Sequence, residues 1–319
     1  MISELPKKLH EYTNHVVIDS SRWQVYNHRP GDIVISTSYK TGTTWMQTIV
    51  ANLIFQDGVF PAPVSVMSPW LDMAIPPLEQ ISQALKAQTH RRFIKTHLAL
   101  DGLPYFETAR YVVVGRDVRD VFMSIWNHHS GYSDGLKAMS QERAAALGRV
   151  YPVDFKDLHE MFPGWIEKSW FPWESSGFPY WSHLHHAQTW WDFRHLPNIQ
   201  LVHFADLLED PEREIRRIAK HLDITIDEKL LPGILERISF NGMKENFGAI
   251  MPEVNDLFRE GAKTFMNKGT NGRWQGVLTE AELEQCRAAV ERELTPDCAN
   301  WLEHGGEHRI TSSTAISGG

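Results

Sequence analysis

The stretch DIVISTSYKTGTTWMQTIVANLI, residues 32–54, runs from an apolar segment through a polar loop into an amphipathic segment without a break. Asp32 to Ser36 is a short β-branched run closed by polar and glycine-bearing residues, the pattern of a buried strand that empties into a loop. From Thr44 onward, Trp45, Met46, Ile49, Val50, Leu53 and Ile54 recur at the spacing that lays a wide apolar stripe along one helical face. Gln56, Asp57 and Gly58 supply the stop. A strand, a Gly/Thr-rich loop and a helix in direct succession place backbone N–H groups and a helix dipole at one point, which is a ready site for an anion.

Similar units follow. Arg92 to Thr96 and Arg110 to Val114 are short apolar strands suited to a sheet covered on both faces. The latter runs into a helix that Asp117 is placed to cap, with Val121, Phe122, Ile125 and Trp126 on its stripe. Ile199 to Phe204 reads as a fourth strand, and Pro211 to Leu222 as a helix with proline in its first turn. The order β, α, β, β, α, then β, α predicts an α/β fold: a single domain with a central, mainly parallel sheet flanked by helices. The expected divisions are an N-terminal segment (1–31), the domain (32–300) and a tail (301–319) whose GGEHRITSSTAISGG has the composition of a mobile end.

At 319 residues the chain is about twice a typical domain of roughly 150 residues, but no internal repeat or Pro/Gly/Ser linker divides it. Its 32 Lys and Arg face 40 Asp and Glu, a formal charge of −8. No global basic field steers it to nucleic acid or anionic lipid, so any phosphate it holds needs a local site. Only Cys286 and Cys298 are present, as suits a reducing compartment, and a cytoplasmic location is expected. The N-terminal stretch lacks a signal-peptide core, and no apolar run is long enough to span a bilayer.

Six of the 12 tryptophans, Trp165, Trp170, Trp173, Trp181, Trp190 and Trp191, fall in an aromatic-rich insertion or lid at residues 130–191. Such apolar surface either packs as a subdomain on the main core or forms an apolar ligand pocket, and residues 165–191 are where that pocket is expected. His183, His185 and His186 lack the partner carboxylate or cysteine spacing of a metal site, and no metal is expected.

The chemistry concentrates in the loop STSYKTGTTW, residues 36–45. Lys40 adds a full charge, Gly42 permits close backbone approach, and the hydroxyls of Thr41, Thr43 and Thr44 can donate to oxyanions. In the nucleotide-binding loop G-x-x-x-x-G-K-[ST] the lysine follows the last glycine, whereas here it precedes it. The arrangement is that of a P-loop-kinase-like phosphate loop without the hydroxyl that would hold magnesium. SYKTGTTW resembles the 5′-phosphosulfate loop Y-P-K-S-G-T-T-W of the soluble sulfotransferases, with Ser38 and Tyr39 for Tyr-Pro and Thr41 for serine.

Further segments carry the resemblance, in the family's order, across about residues 32 to 279. Arg116, Asp120 and Ser124 match the 3′-phosphate motif R-x-x-x-D-x-x-x-S, an arginine fork and a hydroxyl suited to a dianion. FMNKGTNGRW (265–274) is similar to R-K-G-x-x-G-x-W: Lys268, Gly269, Gly272 and Trp274 agree, Asn267 stands where the family has its phosphate-binding arginine, and Arg273 is a nearby substitute. SFNGMKEN (239–246) looks like T-S-F-x-x-M-K-x-N, with Phe240 and Trp45 as neighbours of the adenine and Ile238 where the family has threonine. The family's dimerisation segment is not evident in GVLTEAELEQCR, and the oligomeric state stays open.

RFIKTHL resembles the family's K-x-H-L motif, in which the histidine is the catalytic base. Lys95 and His97, one residue apart on a strand, point to the same side. The resemblance implies 3′-phosphoadenosine 5′-phosphosulfate as donor co-substrate and in-line transfer of its sulfuryl group to a hydroxyl or amine of a small, apolar or aromatic acceptor. His97 would be the base, Lys40 the electrostatic catalyst at the bridging oxygen, and Lys95 a support to the transferring group. Two alternatives are a small-molecule kinase on the same fold, which would need magnesium and ATP, and a catalytically silent nucleotide-binding protein.

Overall fold

The computed structural model describes residues 4–306. Four strands, β1 (Ile33–Thr37), β2 (Phe93–Thr96), β3 (Arg110–Gly115) and β4 (Ile199–His203), form one parallel sheet in the order β2-β1-β3-β4. Ile35 of β1 lies between Lys95 of β2 and Val112 of β3, and Val114 of β3 pairs with Val202 of β4. The helices of eight residues or more are α1 (Thr43–Ile54), α2 (Leu78–Ala87), α3 (Val118–Ser130), α4 (Asp134–Ala146), α5 (Leu158–Glu167), α6 (His183–Asp192), α7 (Pro211–His221), α8 (Leu231–Ile238), α9 (Glu280–Glu293) and α10 (Pro296–His304).

The two-residue period of the strands divides the core. Ile33, Ile35, Phe93, Val112 and Val114 turn to one face and pack with Met46, Ile49 and Leu53 of α1, Ile215 and Ile218 of α7, and Ile234 of α8. Val34, Ile94, Tyr111 and Val113 turn to the other face and meet Val121, Phe122 and Ile125 of α3 and Trp190 and Trp191 of α6. A sheet covered on both faces needs apolar residues at consecutive positions, which is why its strands read as continuous apolar runs.

Two expectations need correction. The tryptophan-rich segment is no lid but packs on the core, the other reading open to it: Trp165, Trp170, Trp181, Trp190 and Trp191 are buried within the main cluster, and the partly buried Trp173 packs against it. The break at 301 is misplaced, because α10 runs to His304 and buries Trp301 and Leu302, whose carbonyl accepts from His203 Nε2 at 3.1 Å. Residues 307–319, the rest of the expected tail, lie outside the described residues. The N-terminal segment packs on the domain through Tyr12, Val16, Ile18 and Trp23, which are buried in the same cluster as part of the sheet. No helix among the described residues is long and apolar enough to cross a membrane.

Candidate active site

In a parallel sheet every strand delivers its C-terminal end to the same edge, and ligands bind in the crevice outside those ends. Residues 38–42 after β1, His97 after β2 and Arg116 after β3 all meet there. A cavity of about 580 Å³ opens at this edge, lined by Lys40, Gly42, Thr43, Thr44, Trp45, Lys95, His97, Arg116, Ser124, Phe240, Asn267, Lys268, Gly269 and Arg273. The main departure within the loop is Thr41, which is fully buried and donates its hydroxyl to the Ser38 carbonyl at 3.0 Å, so its side chain is spent on the turn.

The loop is shaped by its glycine. Gly42 has φ of +112°, and a Cβ there would stand 2.9 Å from the Phe204 ring. Lys40, at φ of +70°, also adopts a left-handed conformation that a residue with a side chain rarely occupies. His183 of α6 clamps this arrangement. Its Nε2–H donates to the Arg116 carbonyl at 2.9 Å while Nδ1 accepts from the Ser38 hydroxyl, tying the loop after β1 to that after β3. His186 bonds Ser36, and His185 bonds Asp101 at 2.9 Å, so the three histidines of α6 serve separate structural bonds.

His97 is held in one tautomer. Its Nδ1 lies 2.8 Å from the Thr37 carbonyl, which can only accept, so Nδ1 carries the proton and Nε2 keeps the lone pair. Rings of Tyr39, Trp70 and Trp181 enclose the imidazole, at centroid distances of 5.5, 4.6 and 5.6 Å. Burial, followed by the positive charge of Lys95, holds its pKa well below the ordinary imidazole value. At neutral pH His97 is therefore an uncharged base.

Lys40, Lys95, Arg116, Lys268 and Arg273 form no ion pair among the described residues, although all five line one cavity. Lys40 lies 4.3 Å from the centre of the Phe265 ring and donates to His128 Nδ1 at 3.2 Å. Burial, with Lys95, Arg116 and Arg273 nearby, lowers its pKa to about 7. Lys95 lies over Trp70 at 4.8 Å, and burial lowers its pKa to about 8 against the pull of Asp72 and Glu253. Four of these charges, on Lys40, Lys95, Arg116 and Arg273, are at least partly desolvated, and with the exposed Lys268 they converge without ion pairs, which makes a receptor for a polyanion.

Residues 30–297 match the sulfotransferase domain family. The chain belongs to the sulfotransferases. It is similar to a glycolipid sulfotransferase of Mycobacterium bovis (strain BCG / Pasteur 1173P2), 32% identical over 96% of this chain and 98% of that protein. It also resembles sulfotransferase 1A1 of Rattus norvegicus, 28% identical over 84% of this chain and 86% of the other. Among solved structures, mouse sulfotransferase SULT7A1 complexed with PAP shares the fold at a TM-score of 0.66 and 15% identity, over 89% of this chain and 92% of that one. Retinol dehydratase in a complex with retinol and PAP does so at 0.64 and 23%, over 88% and 87%.

In this sulfotransferase, the downstream loop is docked on α3. Asp120 accepts from the backbone N–H of Gly272 at 2.9 Å and of Arg273 at 3.3 Å, and Arg119 stacks on Trp274 at 4.1 Å. Gly269, at φ of +65°, lets the chain approach the Phe240 ring, which a Cβ would meet at 2.5 Å. Trp45 donates through Nε1 to the carbonyl of Ile238 at 2.9 Å, so that position contributes through its backbone.

The sulfotransferase cavity has a second wall that the sequence did not announce. Val64, Trp70, Met73 and Ile81, then Tyr132, Leu136, Met139 and Tyr151, then Phe247, Ile250, Phe258, Phe265 and Met266 all line it. No residue between 165 and 191 does, so the apolar surface of the site comes from elsewhere than the tryptophan cluster. His128 was also missed. It links Lys40 to the Tyr39 hydroxyl, and its only sequence signal is its place one helical turn beyond Ser124.

Proposed function

We propose that this sulfotransferase uses 3′-phosphoadenosine 5′-phosphosulfate and transfers the sulfuryl group to a hydroxyl or amine of a small apolar or aromatic acceptor. The observation that carries the reading is His97: a neutral imidazole, fixed by the Thr37 carbonyl with its lone pair on Nε2, in the same cavity as unpaired Lys40 and Lys95. The residues present fit the donor. Five cations that form no ion pair among the described residues suit its several negative charges, while Trp45 and Phe240 offer ring faces for a purine. That PAP, the bisphosphate left after transfer, is bound in the structures of similar fold is consistent with this choice.

In this reading His97 Nε2 takes the acceptor proton as the acceptor atom bonds to sulfur and the sulfur–oxygen bond to the 5′-phosphate breaks. Lys40 stabilises the charge that develops on the departing oxygen, and Lys95 faces the transferring group. Thr43, Thr44 and the N–H groups that open α1 hold the 5′-phosphate. Gly42 and Gly269 let the backbone approach, Arg116 and Ser124 belong with the 3′-phosphate, and Asn267 and Lys268 lie beside them. The apolar wall takes the body of the acceptor. Cys286 and Cys298 are buried free thiols, in keeping with a cytoplasmic enzyme.

Incubation with sulfur-35-labelled donor and a panel of phenols, alcohols and amines tests the reaction. Label should appear in an acceptor and be lost in His97→Ala, while calorimetry with adenosine 3′,5′-bisphosphate in EDTA shows binding to both proteins. Full activity in His97→Ala would sink the base assignment, and magnesium-dependent binding of ATP in place of the bisphosphate would point to a kinase.

A further inference from the structure

We propose that Arg273 is the principal phosphate-gripping arginine of the donor site, its guanidinium closing on a phosphate monoester beside Arg116 and Ser124. The proposal rests on the donor reading above and concerns which side chain holds the phosphate farthest from the α1 loop.

Free donors distinguish the two arginines of the site. A guanidinium has five N–H groups in a rigid fork. Arg116 spends its own on the protein: Nε donates to Asn271 Oδ1 at 3.1 Å, Nη2 to the Thr270 carbonyl at 3.0 Å and Nη1 to the Lys40 carbonyl at 3.4 Å. Its plane also rests on the Phe204 ring at 4.0 Å. Arg116 thus holds the loops of the site together and has only part of its fork left for a ligand.

Arg273 is in the opposite condition. It lines the same cavity, its Nε–H is buried with no acceptor, and its guanidinium makes no hydrogen bond or ion pair among the described residues. A buried donor left unmade costs the full desolvation of that group, and this one stands in the cavity, where an anionic ligand can complete it. Burial lowers the Arg273 pKa, and its charge in turn depresses Lys40 and Arg116, which places it among the converging cations.

The backbone of Arg273 is fixed. Asp120 of α3 accepts from its N–H and from that of Gly272, so Arg273 is anchored to the helix that carries Ser124. Its side chain therefore belongs with the Arg116 and Ser124 group, and Asn267, with no charge, leaves that role open.

Calorimetric titration of wild type and Arg273→Gln with adenosine 3′,5′-bisphosphate and with adenosine 5′-phosphate decides the matter. Loss of a charge-assisted fork should weaken the bisphosphate about 10- to 100-fold and the monophosphate by less than about threefold. Arg273→Lys should fall between. Without ligand, Arg273→Gln should melt no lower than wild type, because it removes a cation from among like charges, whereas a structural arginine would lower the melting temperature. Equal losses for both nucleotides, or none, overturn the proposal. If the wild type binds neither nucleotide, the donor reading itself fails and this one with it.

Discussion

Of the two buried lysines at the strand ends, Lys40 is the more strongly shifted. In the free protein its pKa stands at about 7 and that of Lys95 at about 8, both lowered by burial. An anionic ligand raises both, so its binding is linked to proton uptake. Affinity for adenosine 3′,5′-bisphosphate should therefore be full well below pH 7, where both lysines are already cationic. It falls as pH rises through 7 on account of Lys40, and more steeply above 8 as Lys95 joins. The second ionisation of a phosphate lies near 6, below this window. Calorimetry at pH 8 in buffers of different ionisation enthalpy should register uptake of protons, and Lys40→Met should remove the part of the pH dependence that begins at 7. An affinity flat from pH 6.5 to 9 would contradict the assignment. His97→Gln should lower the transfer rate by about 10² to 10⁴ while changing bisphosphate affinity by no more than a few-fold. His97 and Lys40 were legible from their neighbours in sequence. The His128 bond to Lys40 was not, because 88 residues separate the two and only the packing of α3 against the loop after β1 brings them together.

Among the elements, α3 does two jobs that its apolar stripe does not reveal. Its buried side packs Val121, Phe122 and Ile125 into the core, and its first turn uses Asp120 to hold the loop of Gly272 and Arg273. Asp120→Ala should therefore leave two N–H groups without their acceptor, lower stability by about 1–3 kcal/mol and weaken bisphosphate binding by about tenfold. Thermal melting with and without saturating bisphosphate checks this, since ligand that re-forms the loop should recover part of the loss. Unchanged melting and affinity would show that the loop is held by other contacts. Strand and helix identities were readable because β-branched runs and apolar stripes are local signals. The cavity's apolar wall was not, because part of it, Val64, Phe247, Ile250 and Phe265, sits on four-residue helices too short to show a period, and the rest is drawn from separate loops and helices. The tryptophan cluster misled for a related reason. Composition reports that apolar surface must be buried, but not whether it meets the core or a ligand.

Taken whole, the molecule sets a formal charge of −8 against a cavity lined by five cations and the single carboxylate of Glu253. A low-dielectric cleft lined by one sign of charge focuses its field on an incoming anion, while the remaining surface repels the same anion at long range. These two effects respond to salt differently. Screening over the Debye length, about 30 Å at 0.01 M and about 8 Å at 0.15 M, removes the long-range repulsion from the surface, whereas buried pairs are screened much less. Inside the cavity, added salt supplies anions that compete for the unpaired cations. Bisphosphate affinity should therefore fall by about tenfold between 0.02 and 0.3 M sodium chloride, because competition and screening at the mouth outweigh relief of the surface repulsion. The ligand-free protein should change in the other direction, with its melting temperature rising over the same range as like charges in the cavity are neutralised. Ligand at one hundred times its dissociation constant adds about 2.7 kcal/mol to stability. At a fixed ligand concentration the melting shift should consequently shrink as salt increases, from both ends at once. A shift independent of salt would mean that the cations are already neutralised within the protein, and would remove the electrostatic basis for reading this cavity as the seat of a multiply charged donor.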